Sequence, residues 1–146
     1  MFLKISRLWF SLLLVFTLLS TLATPALAAG ASSKASYTVT FVSAELVSND
    51  HVGNEWETAF TANGKTIEEG ESIKLSLSST ASIKLQAEAT EHDKIPDIGS
   101  AAKTIKVSSI KKELSSSINV TVTENRGRYS GNQSVWKFTY KIAKSK

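Results

Sequence analysis

Three carboxylates fall within the stretch Glu91-His92-Asp93-Lys94-Ile95-Pro96-Asp97. Such crowding is costly unless a cation or a basic side chain sits among the charges. A hard cation such as calcium takes about six to eight oxygen ligands, and carboxylates on adjoining loops can supply them. An earlier polar stretch around Gly53 adds Asp50 and Glu55, with Asn54 as a carbonyl donor. Asp50, Glu55, Glu91, Asp93 and Asp97 are therefore the candidate metal ligands, and calcium is the candidate ion. The competing reading is solvated loop charge that keeps the domain soluble, partly offset by Lys94. His51 and His92 lie in the same two stretches, and imidazole with carboxylate suits zinc, although no ligand-motif spacing is present.

A third polar stretch, Glu124 to Asn132, carries Arg126, Arg128 and Tyr129. Guanidinium groups beside an aromatic ring suit a phosphate headgroup, a sulfated sugar or a carboxylate. The alternative role for the two arginines is to neutralise the acidic loops from within. Catalytic constellations are scarce. There is no cysteine, no Gly-x-Ser-x-Gly elbow, and no histidine beside a recognisable nucleophile. Glu91 and Asp93 are conceivable as an acid–base pair, but a short chain with shallow loops points to a non-enzymatic protein.

The elements that must position these residues read as strands. Tyr37, Val39 and Phe41 share one face of a first strand extending to Val47. Trp56, Thr58, Phe60 and Ala62 alternate in a second, and Asn63-Gly64 is a strong hairpin signal because both turn positions want positive φ. Lys65-Thr66-Ile67 returns briefly. Ile73 to Leu77, Ile83 to Ala89, Thr104 to Val107, Ile118 to Val122 and Val135 to Ile142 supply five more. Pro96 and Gly99 place 91–100 in a loop. Within the polar segment 108–117, Ile110 to Leu114 has room for a single helical turn. Eight short strands without a convincing helix predict an all-β fold, a single antiparallel two-sheet β-sandwich. Trp56 and Trp136 read as core.

Antiparallel strands send successive loops to opposite ends. Loops 48–55, 68–71, 91–100 and 124–133 then share one pole, provided that Lys65-Thr66-Ile67 is a strand. That would gather Asp50, Glu55, Glu68, Glu69, Glu71, Glu91, Asp93 and Asp97 with Arg126, Arg128 and Tyr129.

Two of these loops carry a family likeness. The run Leu46-Val47-Ser48-Asn49-Asp50-His51-Val52-Gly53-Asn54-Glu55-Trp56 resembles the first loop of C-two domains, the calcium-dependent lipid-binding sandwiches. There an acidic residue follows the first strand and another precedes an aromatic. Ala89 to Gly99 looks like their third loop, with spaced acidic residues before an apolar-Gly pair. Glu55 and Glu91 stand where the family has aspartate, and the gap from Asp93 to Asp97 is shorter than usual. The resemblance implies a C-two-like strand plan and calcium-assisted binding of lipid. An Ig-like sandwich is the other plan compatible with the strand count.

Composition sets the compartment. Lys4 and Arg7 precede the apolar run Leu8 to Leu19, and Thr24-Pro25-Ala26-Leu27-Ala28 ends in small residues. These are the three parts of a secretory signal, with cleavage after Ala28. An uncleaved anchor is disfavoured because the run is shorter than the roughly 20 residues that span a bilayer. The organisation expected is a signal peptide at 1–28, a loose leader at 29–36 and a β-sandwich domain at 37–146. The whole chain has 17 basic and 13 acidic side chains, net +4. Removing Lys4 and Arg7 with the signal leaves 15 against 13, net +2, which is too small a basic surplus for a nucleic-acid binder. A secreted chain without cysteine has no disulfide to hold it and suits a bacterium, a Gram-positive one in particular. The function expected is a secreted binding module, not membrane-spanning once mature, whose loop-bearing end recognises a cell-surface lipid or cell-wall polymer. A structural or protein-interaction domain of adhesin or inhibitor type, working through a sheet edge or face, is the alternative.

Overall fold

The computed structural model describes residues 33–145. The expected signal peptide and most of the leader lie outside the described residues. Eight strands follow: β1 (Lys34–Asn49), β2 (Trp56–Ala62), β3 (Lys65–Thr66), β4 (Ser72–Ser78), β5 (Ser82–Glu91), β6 (Asp97–Lys106), β7 (Glu113–Thr123) and β8 (Gln133–Lys144). They form two four-stranded sheets, ordered β4-β1-β8-β7 and β3-β2-β5-β6. Every pairing is antiparallel. The all-β antiparallel sandwich expected from the alternation is the fold.

Period-two patterning explains why the sheets face each other. In β5, Ile83, Leu85, Ala87 and Ala89 are buried while Lys84 and Gln86 are exposed, so one face is apolar and the other wet. The inner faces meet through aromatic rings. Phe60 of one sheet lies 4.7 Å from Phe41 and 6.1 Å from Tyr140 of the other, and Phe41 lies 5.9 Å from Phe138. Burying each such ring stabilises the fold by about 1.5–3 kcal/mol. In the absence of a disulfide this aromatic layer and its aliphatic surround hold the sheets together.

Four features depart from the sequence reading. β1 starts at Lys34, inside the expected leader, because its first residues pair with the end of β4 from Lys34↔Ser78 onward. β6 starts at Asp97, so the acidic loop is only 92–96; Gly99 is inside a strand, not in a turn. β7 starts at Glu113 and includes Ser115 to Ser117, where the ladder to β8 overrides the poor strand propensity of serine. The helical turn at Ile110–Leu114 does not form. Instead a single 3-10 turn, Val107–Ser109, drops Ile110 into the core.

The two flanks of the sandwich differ. On one, β6 and β7 come so close that a Cβ on Gly99 would collide with the Thr121 carbonyl. On the other, the chain leaves β3 after two residues and crosses to the first sheet. There the Phe41 N–H donates to the Glu71 carbonyl (3.1 Å), and the Gly70 N–H donates to the Phe41 carbonyl (2.8 Å). Loop 68–71 therefore sits beside the middle of β1, not at the pole where the sequence count placed Glu68, Glu69 and Glu71. β3 is the strand that count required, but at roughly 3.3 Å per residue it climbs too little to carry the chain to the end of the sandwich.

Candidate functional site at the loop-bearing pole

Three loops do meet at one pole: 50–55, 92–96 and 124–132. Backbone hydrogen bonds tie them to one another and to the flanking strands. The Asp50 N–H donates to the Gln133 carbonyl (3.1 Å) and the His92 N–H to the Glu55 carbonyl (2.6 Å). The Glu124 N–H donates to the Asn132 carbonyl (2.9 Å), closing the base of the third loop. Asn49 organises the first loop from β1. Its side-chain oxygen accepts from the Val52 N–H and the Ser134 hydroxyl, and its amide nitrogen donates to the Gly53 carbonyl.

The five candidate metal ligands share this pole, yet they do not form one ion-binding group. Among the described residues no set of three or more histidine, aspartate or glutamate side chains is placed to hold a metal ion. Three of them, Glu91, Asp93 and Asp97, are taken up in loop structure. Glu91 is buried at 4% exposure and Asp97 at 3%, paired across the β5–β6 ladder. They point inward and anchor loops. Burial pushes the Glu91 carboxyl above its ordinary value, the backbone amides of Glu55 and Asn54 pull it back, and the charges of Asp93 and Glu124 add to the rise. Gly53 is required beside it: its φ is 116°, and a Cβ there would overlap the Glu91 carboxylate. Asp97 accepts a 2.7 Å hydrogen bond from the Asn125 side chain, joining the second loop to the third. Asp93 accepts from the Ile95 N–H two residues on and shapes its own turn. Asp50 lies 3.0 Å from the His51 ring and is exposed, as is Glu55.

The two histidines turn to different neighbours. The His92 Nε2 lies 2.7 Å from Glu57 on β2, while His51 stacks on Tyr129 at 4.9 Å between ring centroids. The Arg128 guanidinium lies over the Tyr129 ring, 5.7 Å from its centre. Imidazole and guanidinium thus both gather at the Tyr129 ring, joining the first loop to the third. Arg126 and Arg128 enter no direct ion pair among the described residues. Tyr129 is 42% exposed, and Ile95 and Ile98 stand exposed nearby in sequence to the second loop. Trp56 and Trp136 sit behind, half-buried and edge-to-face at 5.5 Å between the sheets, as core residues.

The sequence singled out Arg126, Arg128 and Tyr129 but not their link to His51. That link depends on His51 taking a left-handed backbone conformation, φ 57°, which no residue pattern announces. Asn125 was missed as well, because its bond to Asp97 joins residues 28 apart and leaves no local signal. Among the described residues no helix is long and apolar enough to cross a membrane. Compared with known proteins, the chain matches no family model and no curated protein, so the likeness to C-two domains consists of a strand count and two loops.

Proposed function

We propose that the protein is a secreted, non-catalytic binding module whose loop-bearing pole recognises an anionic group of the cell surface, a phosphate-bearing lipid headgroup or wall polymer. The observation that carries this is the exposed Tyr129 ring with His51 stacked on it and Arg128 over it, and exposed Arg126 two residues before Arg128 in the same loop. Two guanidinium groups without an internal carboxylate partner offer forked donors to phosphate oxygens. The aromatic ring restricts where Arg128 can go, so less freedom is lost when a ligand binds. Exposed Ile95 and Ile98 add apolar contact suited to a lipid interface. Calcium is not part of this mode, because the guanidinium groups and not the carboxylates meet the ligand.

The test is cosedimentation with phosphatidylglycerol vesicles, with phosphatidylcholine vesicles, and with an isolated phosphodiester wall polymer, each with calcium and with chelator. Binding to one of the two anionic phases, weakening as salt rises and unaffected by chelator, is the expected result. The Arg126→Gln/Arg128→Gln double variant should lose about tenfold in affinity, about 1.4 kcal/mol, with unchanged melting. Equal binding by that variant removes the pole as the site. Heat released on titrating calcium into the protein would return the ion to the mechanism.

A further inference from the structure

The second sheet lacks most of an edge strand. β2 pairs with β5 along its whole length, Trp56↔Glu91 to Ala62↔Leu85, but with β3 only at Thr61↔Thr66 and Ala62↔Lys65. One more bond, from the Ile67 N–H to the Phe60 carbonyl (2.9 Å), ends that pairing, and the chain then departs for the first sheet. In an antiparallel ladder the residues whose N–H and C=O groups face a given side alternate. Trp56 and Thr58 therefore turn theirs the same way as Phe60, into a flank where no strand lies among the described residues. The neighbouring edge of β1 has no strand partner beyond Thr40 either, and the backbone of the crossover bonds it only at Phe41. The Ala44 N–H there is met by a side chain, the Glu69 carboxylate at 3.3 Å.

A cavity of about 200 Å3 adjoins this edge, lined on the β2 side by Glu57 to Phe60 and on the crossover side by Thr66 to Glu69. Phe41, Phe60 and Ile67 are its buried apolar residues. Glu57, Glu68 and Glu69 supply its charge. Among the described residues Glu68 and Glu69 form no ion pair, and Glu57 meets only His92. We propose that this flank takes up an extended, lysine- or arginine-bearing peptide segment of a partner protein, which adds to β2 and completes the second sheet.

The chemistry of the partner follows from the pleat. Side chains of an added strand alternate between the two sides of the sheet. Those facing inward meet Phe41, Phe60 and Ile67 and must be apolar and small enough for the cavity. Those facing outward pass the glutamates and are favoured when basic. Main-chain hydrogen bonds to Trp56 and Thr58 supply affinity, as in other cases of strand addition. A second copy of this chain is disfavoured as the occupant, because a two-fold pairing of this flank would set the same glutamates against each other.

The probe is the blocked hexapeptide acetyl-Lys-Val-Lys-Val-Lys-Thr-amide, with acetyl-Glu-Val-Glu-Val-Glu-Thr-amide as its charge-reversed control. Binding is followed by amide chemical shifts and hydrogen exchange of the isotope-labelled protein. The expected result is slowed exchange at the Trp56 and Thr58 amides with the basic peptide and none with the acidic one. Glu68→Gln/Glu69→Gln should weaken binding about tenfold. Thr58→Pro should abolish it while leaving the melting temperature nearly unchanged, since the lost N–H faces an unpaired edge. Binding without protection of those amides, equal binding of the two peptides, or no binding at millimolar peptide overturns the proposal. So does protection of the same amides by self-association at high protein concentration, which sedimentation velocity would reveal. Pole variants at Arg126 and Arg128 should leave peptide binding intact, so this site and the pole stand or fall separately.

Discussion

Glu91 shows how a charged residue in an acidic motif becomes a structural part. Its carboxyl closes against the backbone amides of the first loop, and its side chain is removed from water. Because burial raises its proton affinity in the folded state above the ordinary value of 4.5, the native protein holds more protons than the unfolded chain in the window just above that value. Stability contributed by this group is complete below the window and falls as pH rises through the raised pKa. Chemical denaturation from acid to neutral pH should show that decline, and Glu91→Gln should remove this component of the slope. An unchanged slope in the variant would assign the pH dependence to other groups. Asp97, also in the acidic motif, is likewise occupied, through Asn125. A motif rich in carboxylates was legible from the sequence. Whether its members point toward solvent or into the protein was not, because Glu91 and Asp97 fall on the inward side of strands whose ends lie beyond the apolar alternation.

At the scale of elements, the hairpin Asn63-Gly64 was readable because its requirement is local. Both residues take positive φ, 50° and 75°, as two-residue connections demand. Asn63 does more than turn the chain. Its N–H donates to the Lys84 carbonyl and its side-chain oxygen accepts from the Lys84 N–H, each at 2.8 Å, so the turn is tied to β5. Asn63→Ala should cost about 1–2 kcal/mol, from left-handed strain and the lost hydrogen bond, seen as a lower denaturation midpoint at unchanged m-value. β3 was legible as a short return, but its brevity has a consequence that pattern alone hides. It stops the chain short of the pole, moves Glu68, Glu69 and Glu71 to the flank, and leaves the edge of β2 open. Strand ends were the least readable feature, since Ser115–Ser117 and Asp97–Ser100 become strand through partners far away in sequence.

For the whole molecule, cohesion between the sheets is concentrated where Phe60 faces Phe41 and Tyr140. Phe60 is fully buried and is the aromatic residue that its sheet contributes to these stacks. Phe60→Ala should destabilise by about 3–5 kcal/mol, measured by urea unfolding, and a loss below about 1 kcal/mol would mean that the core is held elsewhere. The same sandwich separates two surfaces: a pole whose loops present the exposed Arg126, Arg128 and Tyr129, and an acidic, open flank beside β2. The amino-acid sequence by itself determined the all-β class, the alternation that sorts inside from outside, and the residue types at each bend, because these follow from local sterics and a period of two. Which bends meet, which carboxylates are turned inward and which strand edge lacks a partner were decided only by the tertiary structure. Those outcomes depend on pairings between residues far apart in the chain, and no local signal in the sequence encodes them.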